Sequence, residues 1–339
     1  MLRLPSFQLV QAETVAEAAQ ALADHGPEAR IVAGGTDLWP NMKRRHQRAS
    51  TVVSLAKLSD LHGVKEENGE LRIGAMTTLS EIVDDETVGK LQPSLRRAVQ
   101  SISSPVLRNM GTIGGNLCLD TRCTYYNQNE EWRQSISYCM KEEGETCWVA
   151  PGSPRCWAIS ASDSAPMLCA LDARVRLVSA EGDREIPLTE LYNDDGIAYL
   201  TKRPDEILVE VIVPKPGDEK TAYWKLRRRG SIDFAVLTVA PSVIVENGIV
   251  TESRIFMGAV GSFPIRVHEA EKVLVGKPLD ADTIAEAARV ARKDGTPLNN
   301  TDFIPQWRSR MIERYLEASL RECAGLATER LSPQHGFGL

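Results

Sequence analysis

Residues 31–38 read Ile-Val-Ala-Gly-Gly-Thr-Asp-Leu, and residues 111–117 read Gly-Thr-Ile-Gly-Gly-Asn-Leu. Both stretches combine a glycine pair with a threonine. Glycine adopts positive φ at little cost and lets backbone amides come close to an anion. Successive amides can form a concave site for phosphate oxygens, so the two loops are expected to hold a pyrophosphate from both sides.

Each glycine loop alone is more often an ordinary turn than a binding site. Neither is a G-x-G-x-x-G fingerprint that opens a helix, and the chain has no G-x-x-x-x-G-K-[ST] sequence. Rossmann and P-loop nucleotide sites are therefore disfavoured. The hydrolase and zinc-protease motifs G-x-S-x-G and H-E-x-x-H are absent as well.

The chain has 339 residues, is 42% hydrophobic and 25% charged, and carries a formal net charge of −6. This composition is typical of a globular protein of about two domains. The acidic balance predicts no nucleic-acid surface. No apolar run approaches the roughly 18 residues that span a membrane, and no secretion signal opens the chain, so we expect a cytoplasmic protein with reduced cysteines.

Five of the seven cysteines fall in one segment: Cys118, Cys123, Cys139, Cys147 and Cys156. Their irregular gaps lack the paired C-x2-C of zinc ribbons and favour a [4Fe–4S] cluster or, less often, zinc. Free buried thiols are the plain alternative. Three tyrosines and three tryptophans lie between residues 120 and 160. They would either shield a cluster from water or form a small core of their own.

Local patterns predict the elements around this segment. Capping boxes occur at Thr14 with Glu17 and at Thr78 with Glu81, and Asn-Gly pairs at 68–69 and 247–248 mark hairpins. The first 55 residues are typical of a βαβ-type unit. The predicted helices cover 15–24, 93–101, 281–293 and about 304–326. The predicted strands cover 30–33, 52–55, 71–75, 235–245 and 249–260, with further short strands between 174 and 213.

Taken together, the two glycine loops resemble the FAD-binding medium subunits of the xanthine dehydrogenase family of molybdenum hydroxylases. Further matching stretches are Arg108–Leu117, Ala161-Ser-Asp163, Tyr223-Trp-Lys225 and Asp233-Phe-Ala235. The resemblance extends along nearly the whole chain, to about residue 325. The combination is specific, although each piece alone is not.

The resemblance implies an α+β fold. Residues 1–215 would form a two-lobed FAD-binding domain of the vanillyl-alcohol-oxidase (PCMH-like) type, with an inserted [4Fe–4S] loop at 119–160. Pro214-Lys-Pro216-Gly217 is the expected linker. Residues 218–326 would form a CO-dehydrogenase-flavoprotein-like C-terminal domain with a three-stranded antiparallel sheet and packed helices, and residues 327–339 a loose tail.

The insertion separates Asn116 from Asp163, which lie close together in sequence in most relatives. It resembles the insertion in one branch of the family, the beta subunits of 4-hydroxybenzoyl-CoA reductases, which carry a [4Fe–4S] cluster. By that resemblance the ligands are Cys123, Cys139, Cys147 and Cys156. Cys118 is then the odd one out, although spacing alone does not decide between it and the others.

The same resemblance implies the FAD contacts. The two loops would hold the pyrophosphate and ribityl region, Asp163 a sugar or ribityl hydroxyl, and Lys225 would lie near the isoalloxazine. The plain alternative for Lys225 is an ordinary strand-edge lysine. The full set of implied FAD contacts is Ile31, Val32, Ala33, Gly34, Gly35, Thr36, Asp37, Leu38, Ser103, Gly111, Thr112, Ile113, Gly114, Gly115, Asn116, Asp163, Leu208 and Lys225.

The implied function is electron transfer, with no catalytic residue in this chain. Electrons would pass from reduced ferredoxin through the [4Fe–4S] cluster and FAD to a [2Fe–2S] small subunit and a molybdenum-cofactor large subunit, which dehydroxylates 4-hydroxybenzoyl-CoA to benzoyl-CoA. A dimer of heterotrimers is the expected assembly. Two alternatives stay open: the FAD subunit of a hydroxylase that oxidises an aromatic, aldehyde or heterocycle, and a zinc-stabilised, redox-sensing flavoprotein.

Overall fold

A computed structural model describes residues 2–328, and within them the chain forms a mixed α+β fold with three sheets. The helices are α1 Val15–His25, α2 Leu38–Lys43, α3 Leu79–Asp84, α4 Glu86–Leu91, α5 Pro93–Gln100, α6 Pro105–Arg108, α7 Ile113–Leu117, α8 Glu130–Ser135, α9 Ser164–Ala170, α10 His268–Leu274, α11 Ala281–Val290 and α12 Pro305–Cys323. The strands are β1 Gln8–Gln11, β2 Ala29–Val32, β3 Thr51–Ser54, β4 Val64–Glu67, β5 Glu70–Gly74, β6 Arg174–Ser179, β7 Gly182–Pro187, β8 Ile207–Val213, β9 Lys220–Thr221, β10 Trp224–Leu226, β11 Leu237–Glu246, β12 Ile249–Gly258 and β13 Ile265–Arg266.

The first lobe is a parallel sheet of order β1-β3-β2 with α1 packed against it. The Thr14 hydroxyl accepts a hydrogen bond from the Glu17 amide and so caps α1. The Glu17 carboxylate accepts from the Glu13 amide and not from the Thr14 amide, so only half of the predicted capping box forms. Ala18, Ala19 and Leu22 form the buried face of this helix. Strand β1 was not predicted, because its four residues are mostly exposed and show no apolar period.

The second lobe is an antiparallel sheet of order β4-β5-β8-β6-β7. Asn68 and Gly69 both have positive φ, 54° and 81°, in the hairpin between β4 and β5, as the sequence predicted. The capping box of Thr78 and Glu81 starts α3, so this prediction is also confirmed. Helices α3, α5, α7 and α9 contribute to the core that covers this sheet.

The C-terminal part has its own core between a sheet and helices α10, α11 and α12. The sheet has five strands instead of the predicted three, in the order β10-β11-β12-β13 with β9 paired to β11. The short strands β9 and β13 have two residues each, too few to show a period. Met311, Tyr315 and Leu316 of α12 are buried in this core.

The insertion, residues 119–160, is irregular apart from α8. An antiparallel bridge between Arg122 and Ile159 joins its two ends. At its centre the buried Arg133 pairs with Glu130 and Glu142 and donates to the Arg44 carbonyl at 2.7 Å. The segment is therefore held by buried polar contacts to the first lobe.

No helix in residues 2–328 has the length and apolar character to cross a membrane. The predicted tail at 327–339 lies outside the described residues from position 329 onward.

Arg308 of α12 generates a stability prediction. It is fully buried, burial lowers its pKa to about 10, and it donates to the carbonyls of Val236 and Leu298 at 3.1 and 2.9 Å. Because Arg308→Met removes these donors from buried carbonyls, we expect a loss of about 3 kcal/mol in the free energy of unfolding, measured by urea denaturation. Arg310→Met, on the exposed side of the same helix, is the control and should change it by less than about 0.5 kcal/mol. Equal midpoints for both variants would contradict the prediction.

Candidate functional site

A cleft of about 600 Å³ lies between the two lobes, and residues of both predicted glycine loops line it. A volume of this size accommodates an organic cofactor. The loops reach the cleft from different elements: the first follows β2, and the second leads into α7. Topology therefore brings together two segments that are far apart in sequence.

The two loops meet where they have no side chains. A Cβ built on Gly34 would lie 1.6 Å from the carbonyl oxygen of Met110, and one on Gly111 would lie 3.5 Å from the Thr36 hydroxyl. Gly35 has a φ of +72°, and a Cβ there would lie 2.2 Å from the Trp39 indole nitrogen. Gly34 is thus required for the approach of one loop to the other, and Gly35 for the positive φ and the close packing of Trp39.

Backbone donors are available along the first loop. Within residues 2–328, no acceptor takes a hydrogen bond from the amides of Gly34, Gly35 or Thr36, which all line the cleft. In the second loop, Thr112 caps α7 by accepting from the Gly115 amide at 3.1 Å. Cationic residues line the same cleft: Arg30, Arg44, Arg122 and Lys202. Free amides beside cations suit the phosphate groups of a dinucleotide.

Most residues implied as FAD contacts line this cleft, with three exceptions. Val32 and Ile113 are buried in hydrophobic clusters, and Lys225 lies behind Asp163. The implied residues that line the cleft are Ile31, Ala33, Gly34, Gly35, Thr36, Asp37, Leu38, Ser103, Gly111, Thr112, Gly114, Gly115, Asn116, Asp163 and Leu208.

Asp163 is held at the cleft by a buried ion pair. Its carboxylate accepts from Lys225 Nζ at 2.8 Å and from the Tyr223 hydroxyl at 3.3 Å, and both charged side chains are almost fully buried. Burial raises the pKa of Asp163, and the nearby Lys225 ammonium opposes this rise. Lys225 also donates to the Ser101 carbonyl at 3.0 Å. It therefore acts on the cleft through Asp163.

Asn116 joins the second loop to the segment after the insertion. Its side-chain oxygen accepts from the hydroxyls of Ser162 and Ser164 at 2.9 and 2.6 Å. These residues flank Asp163, so the insertion leaves and re-enters the fold beside the cleft.

Sequence reasoning missed several cleft residues, of which Arg122 is the most informative. Its guanidinium pairs with Asp37, donates to the Asn41 side chain at 3.1 Å and lies 4.8 Å from the Phe234 ring centre. Burial lowers its pKa to about 10. The only sequence signal for Arg122 was its position next to Cys123. Adjacent residues of extended backbone face opposite sides, so a cysteine that faces the cysteine cavity leaves its neighbour facing the cleft.

The four cysteines implied as ligands, Cys123, Cys139, Cys147 and Cys156, are buried and line one small cavity. Cys118 lies apart from them and lines the cleft instead. The remaining residues of the cysteine cavity are mostly apolar or aromatic: Tyr125, Tyr126, Met140, Lys141, Trp148, Val149 and Ala158.

The thiols of the cysteine cavity influence one another. Burial raises the pKa of Cys123 to about 12 and of Cys156 to about 11, and neighbouring cysteines add to both effects. Lys141 opposes the rise at Cys156 and at Cys139. A bound metal centre would reverse this preference by taking the thiolate form.

The side chains of the described residues do not form a site for a single metal ion. In the described part of the chain, no group of three or more His, Cys, Asp or Glu side chains could hold a metal ion as placed. The side chains as placed therefore show neither a zinc site nor an assembled cluster site within residues 2–328.

Comparison with known families matches residues 5–216 to the FAD binding domain in molybdopterin dehydrogenase and residues 221–323 to the CO dehydrogenase flavoprotein C-terminal domain. The chain belongs to this family. The prediction that this protein is an FAD-binding subunit of the molybdenum hydroxylases is therefore confirmed. Its α+β architecture is that of the family.

Named relatives span almost the whole chain. The 6-hydroxypseudooxynicotine dehydrogenase complex subunit alpha of Paenarthrobacter nicotinovorans is 30% identical and covers 93% of this chain and 94% of its own length. The xanthine dehydrogenase FAD-binding subunit of Escherichia coli O157:H7 is 26% identical over 95% of this chain and 97% of its own. A Cu,Mo-CO dehydrogenase structure superposes with a TM-score of 0.79 at 26% identity, covering 96% and 100% of the two chains.

The contact between the loops generates a prediction for FAD binding. Gly34→Ala places a methyl group against the Met110 carbonyl, so the loops must separate, and we expect FAD affinity to fall at least about tenfold, the equivalent of about 1.4 kcal/mol. Flavin fluorescence on titration of the apoprotein measures this. Gly152→Ala is the control, because nothing lies within 4 Å of a Cβ at that position. Equal affinities in the two variants would refute the role of the first loop.

Proposed function

We propose that this chain is the FAD-binding, iron–sulfur electron-transfer subunit of a molybdenum hydroxylase complex of the 4-hydroxybenzoyl-CoA reductase type. One observation carries the proposal: four buried cysteines line one cavity beside the FAD cleft. In this proposal the two glycine loops bind FAD. The ligands of the iron–sulfur cluster are Cys123, Cys139, Cys147 and Cys156.

The donor set matches that of an iron–sulfur cluster. A [4Fe–4S] cluster takes four thiolates and spreads them around a four-iron cube, whereas zinc gathers its ligands around one ion. The cysteine cavity offers four thiols, the number that such a cluster takes. Aromatic residues among its lining would keep water from the sulfurs.

The insertion connects the two cavities through its own backbone. In the bridge with Ile159, Arg122 faces the cleft, and the next residue, Cys123, faces the cysteine cavity. FAD exchanges one or two electrons and an iron–sulfur cluster exchanges one, so the pair would link one-electron and two-electron chemistry. The chain's part is to hold the flavin, exclude water and fix the separation of the two groups.

The substrate and partners belong to this proposal as well. We expect two partner subunits: a molybdenum-cofactor large subunit that reduces 4-hydroxybenzoyl-CoA to benzoyl-CoA, and a [2Fe–2S] small subunit. Ferredoxin is the expected electron donor, and the expected assembly is a dimer of heterotrimers in the cytoplasm.

The alternative function is that of the FAD subunit of a hydroxylase that oxidises its substrate. The relatives named as dehydrogenases favour it, since they match over more than nine-tenths of the chain.

Metal analysis tests the cofactor assignment. We expect roughly four iron and four acid-labile sulfide per chain in protein purified without oxygen. Cys139→Ser should lower both and leave FAD bound, because Cys139 lines only the cysteine cavity. Cys118→Ser is the matched control and should keep the iron. One zinc without sulfide, or iron retained in Cys139→Ser and lost in Cys118→Ser, would overturn the ligand assignment.

Turnover of the complete complex tests the direction and the substrate. Reduced ferredoxin should drive formation of benzoyl-CoA from 4-hydroxybenzoyl-CoA in the parental complex, and this rate should fall in the Cys139→Ser complex. The Cys169→Ser complex should keep the parental rate, because Cys169 lines neither the cleft nor the cysteine cavity. A complex that oxidises an aldehyde or heterocycle and leaves 4-hydroxybenzoyl-CoA unchanged would favour the alternative.

A further inference from the structure

A buried ion pair lies in the wall between the cleft and the cysteine cavity. Lys141 Nζ donates to Asp120 Oδ1 at 2.8 Å, and the two side chains are only 5% and 4% exposed. The ammonium also donates to the Thr121 hydroxyl at 2.8 Å and to the Gly196 carbonyl. All three of its hydrogens therefore have an acceptor, which fixes the charge in place.

The Lys141 ammonium lies between two aromatic rings, one from the lining of each cavity. Lys141 Nζ lies 4.9 Å from the ring centre of Tyr126, which lines the cysteine cavity. It lies 5.3 Å from the ring centre of Tyr199, which lines the cleft. One charged group thus contacts a wall residue of each cavity.

The pair is oriented across the wall. Lys141 is the one charged residue among the described side chains that line the cysteine cavity. Asp120 lines the cleft, and its second oxygen accepts from Gln47 Nε2 at 3.0 Å, a residue that also lines the cleft. The ammonium belongs to the lining of the cysteine cavity and the carboxylate to that of the cleft. The carboxylate also accepts from the hydroxyl of Tyr126, on the cysteine side, at 3.4 Å.

A fixed dipole in a buried wall acts on charge at both of its ends. Interactions between charges are stronger in a buried environment than in water, since little solvent screens them. A cation near the cysteines stabilises added negative charge there, and a carboxylate near the flavin opposes added negative charge on the flavin. Buried ion pairs contribute little to stability on average, which leaves room for an electrostatic role.

We infer that Lys141 and Asp120 are positioning residues that set the difference in reduction potential between the group bound by the cysteines and the flavin. This inference rests on the proposed function for the identity of the cysteine-bound group. The ammonium raises the potential at the cysteines, and the carboxylate lowers that of the flavin. A purely structural pair would seal the wall without changing either potential.

Potentiometric titration of the purified FAD-loaded holoprotein tests the inference, with flavin followed by absorbance and the iron–sulfur group by electron paramagnetic resonance. The double variant Lys141→Met with Asp120→Asn keeps the side-chain volumes and removes both charges. We expect the potential at the cysteines to fall and the flavin potential to rise. No shift in either, or shifts of both in the same direction, would overturn the inference.

Two further variants complete the test. Asp120→Asn alone keeps the cation and should raise both potentials, and unchanged values would count against the inference even if the double variant fails to fold. Lys277→Met with Glu286→Gln, an exposed pair at 2.9 Å in the C-terminal part, is the matched control and should change neither. Absence of iron and sulfide from the parental protein would refute the proposed function, whereas the flavin potential would still test the ion pair.

Discussion

The close approach of two backbone segments is the constraint on which the cleft depends. Gly34 lies under the Met110 carbonyl at a distance that no side chain permits. This contact places the loop after β2 against the loop before α7, so that two lobes with different sheets share one wall. The amides of Gly34, Gly35 and Thr36 have no acceptor within residues 2–328 and line the cleft, where a bound anion can accept from them.

The insertion extends this wall and does not form a separate unit. It leaves the fold after the second loop and returns at the residues that bond to Asn116, so both of its ends lie at the cleft. Its interior contains paired charged groups: Arg133 with two glutamates, and Lys141 with Asp120. Such groups are costly to bury unless they are paired, and here each has its partner. The result is a second cavity, lined by cysteines, on the far side of the same wall.

Elements with strong local signals were predicted from the sequence, and those without were missed. The N-cap at Thr14, the capping box at Thr78 and the hairpin at Asn68 act within a few residues, so their outcome depends little on the rest of the chain. The short strands β1, β9 and β13 exist only because a neighbouring strand pairs with them. Their two to four residues contain too little pattern to reveal this pairing.

Residue types and their order alone indicated the flavin loops, the cysteine segment and the family, because glycine and cysteine have properties that no other residue supplies. Which side chains face the cleft was decided by the fold. Asp120 and Arg122 reach it from the start of the insertion, and Tyr199 from a segment far along the chain. Val32 and Ile113, inside the glycine motifs, point into hydrophobic clusters. The physical reason is that a motif specifies backbone shape over a few residues, whereas the composition of a cavity depends on long-range packing.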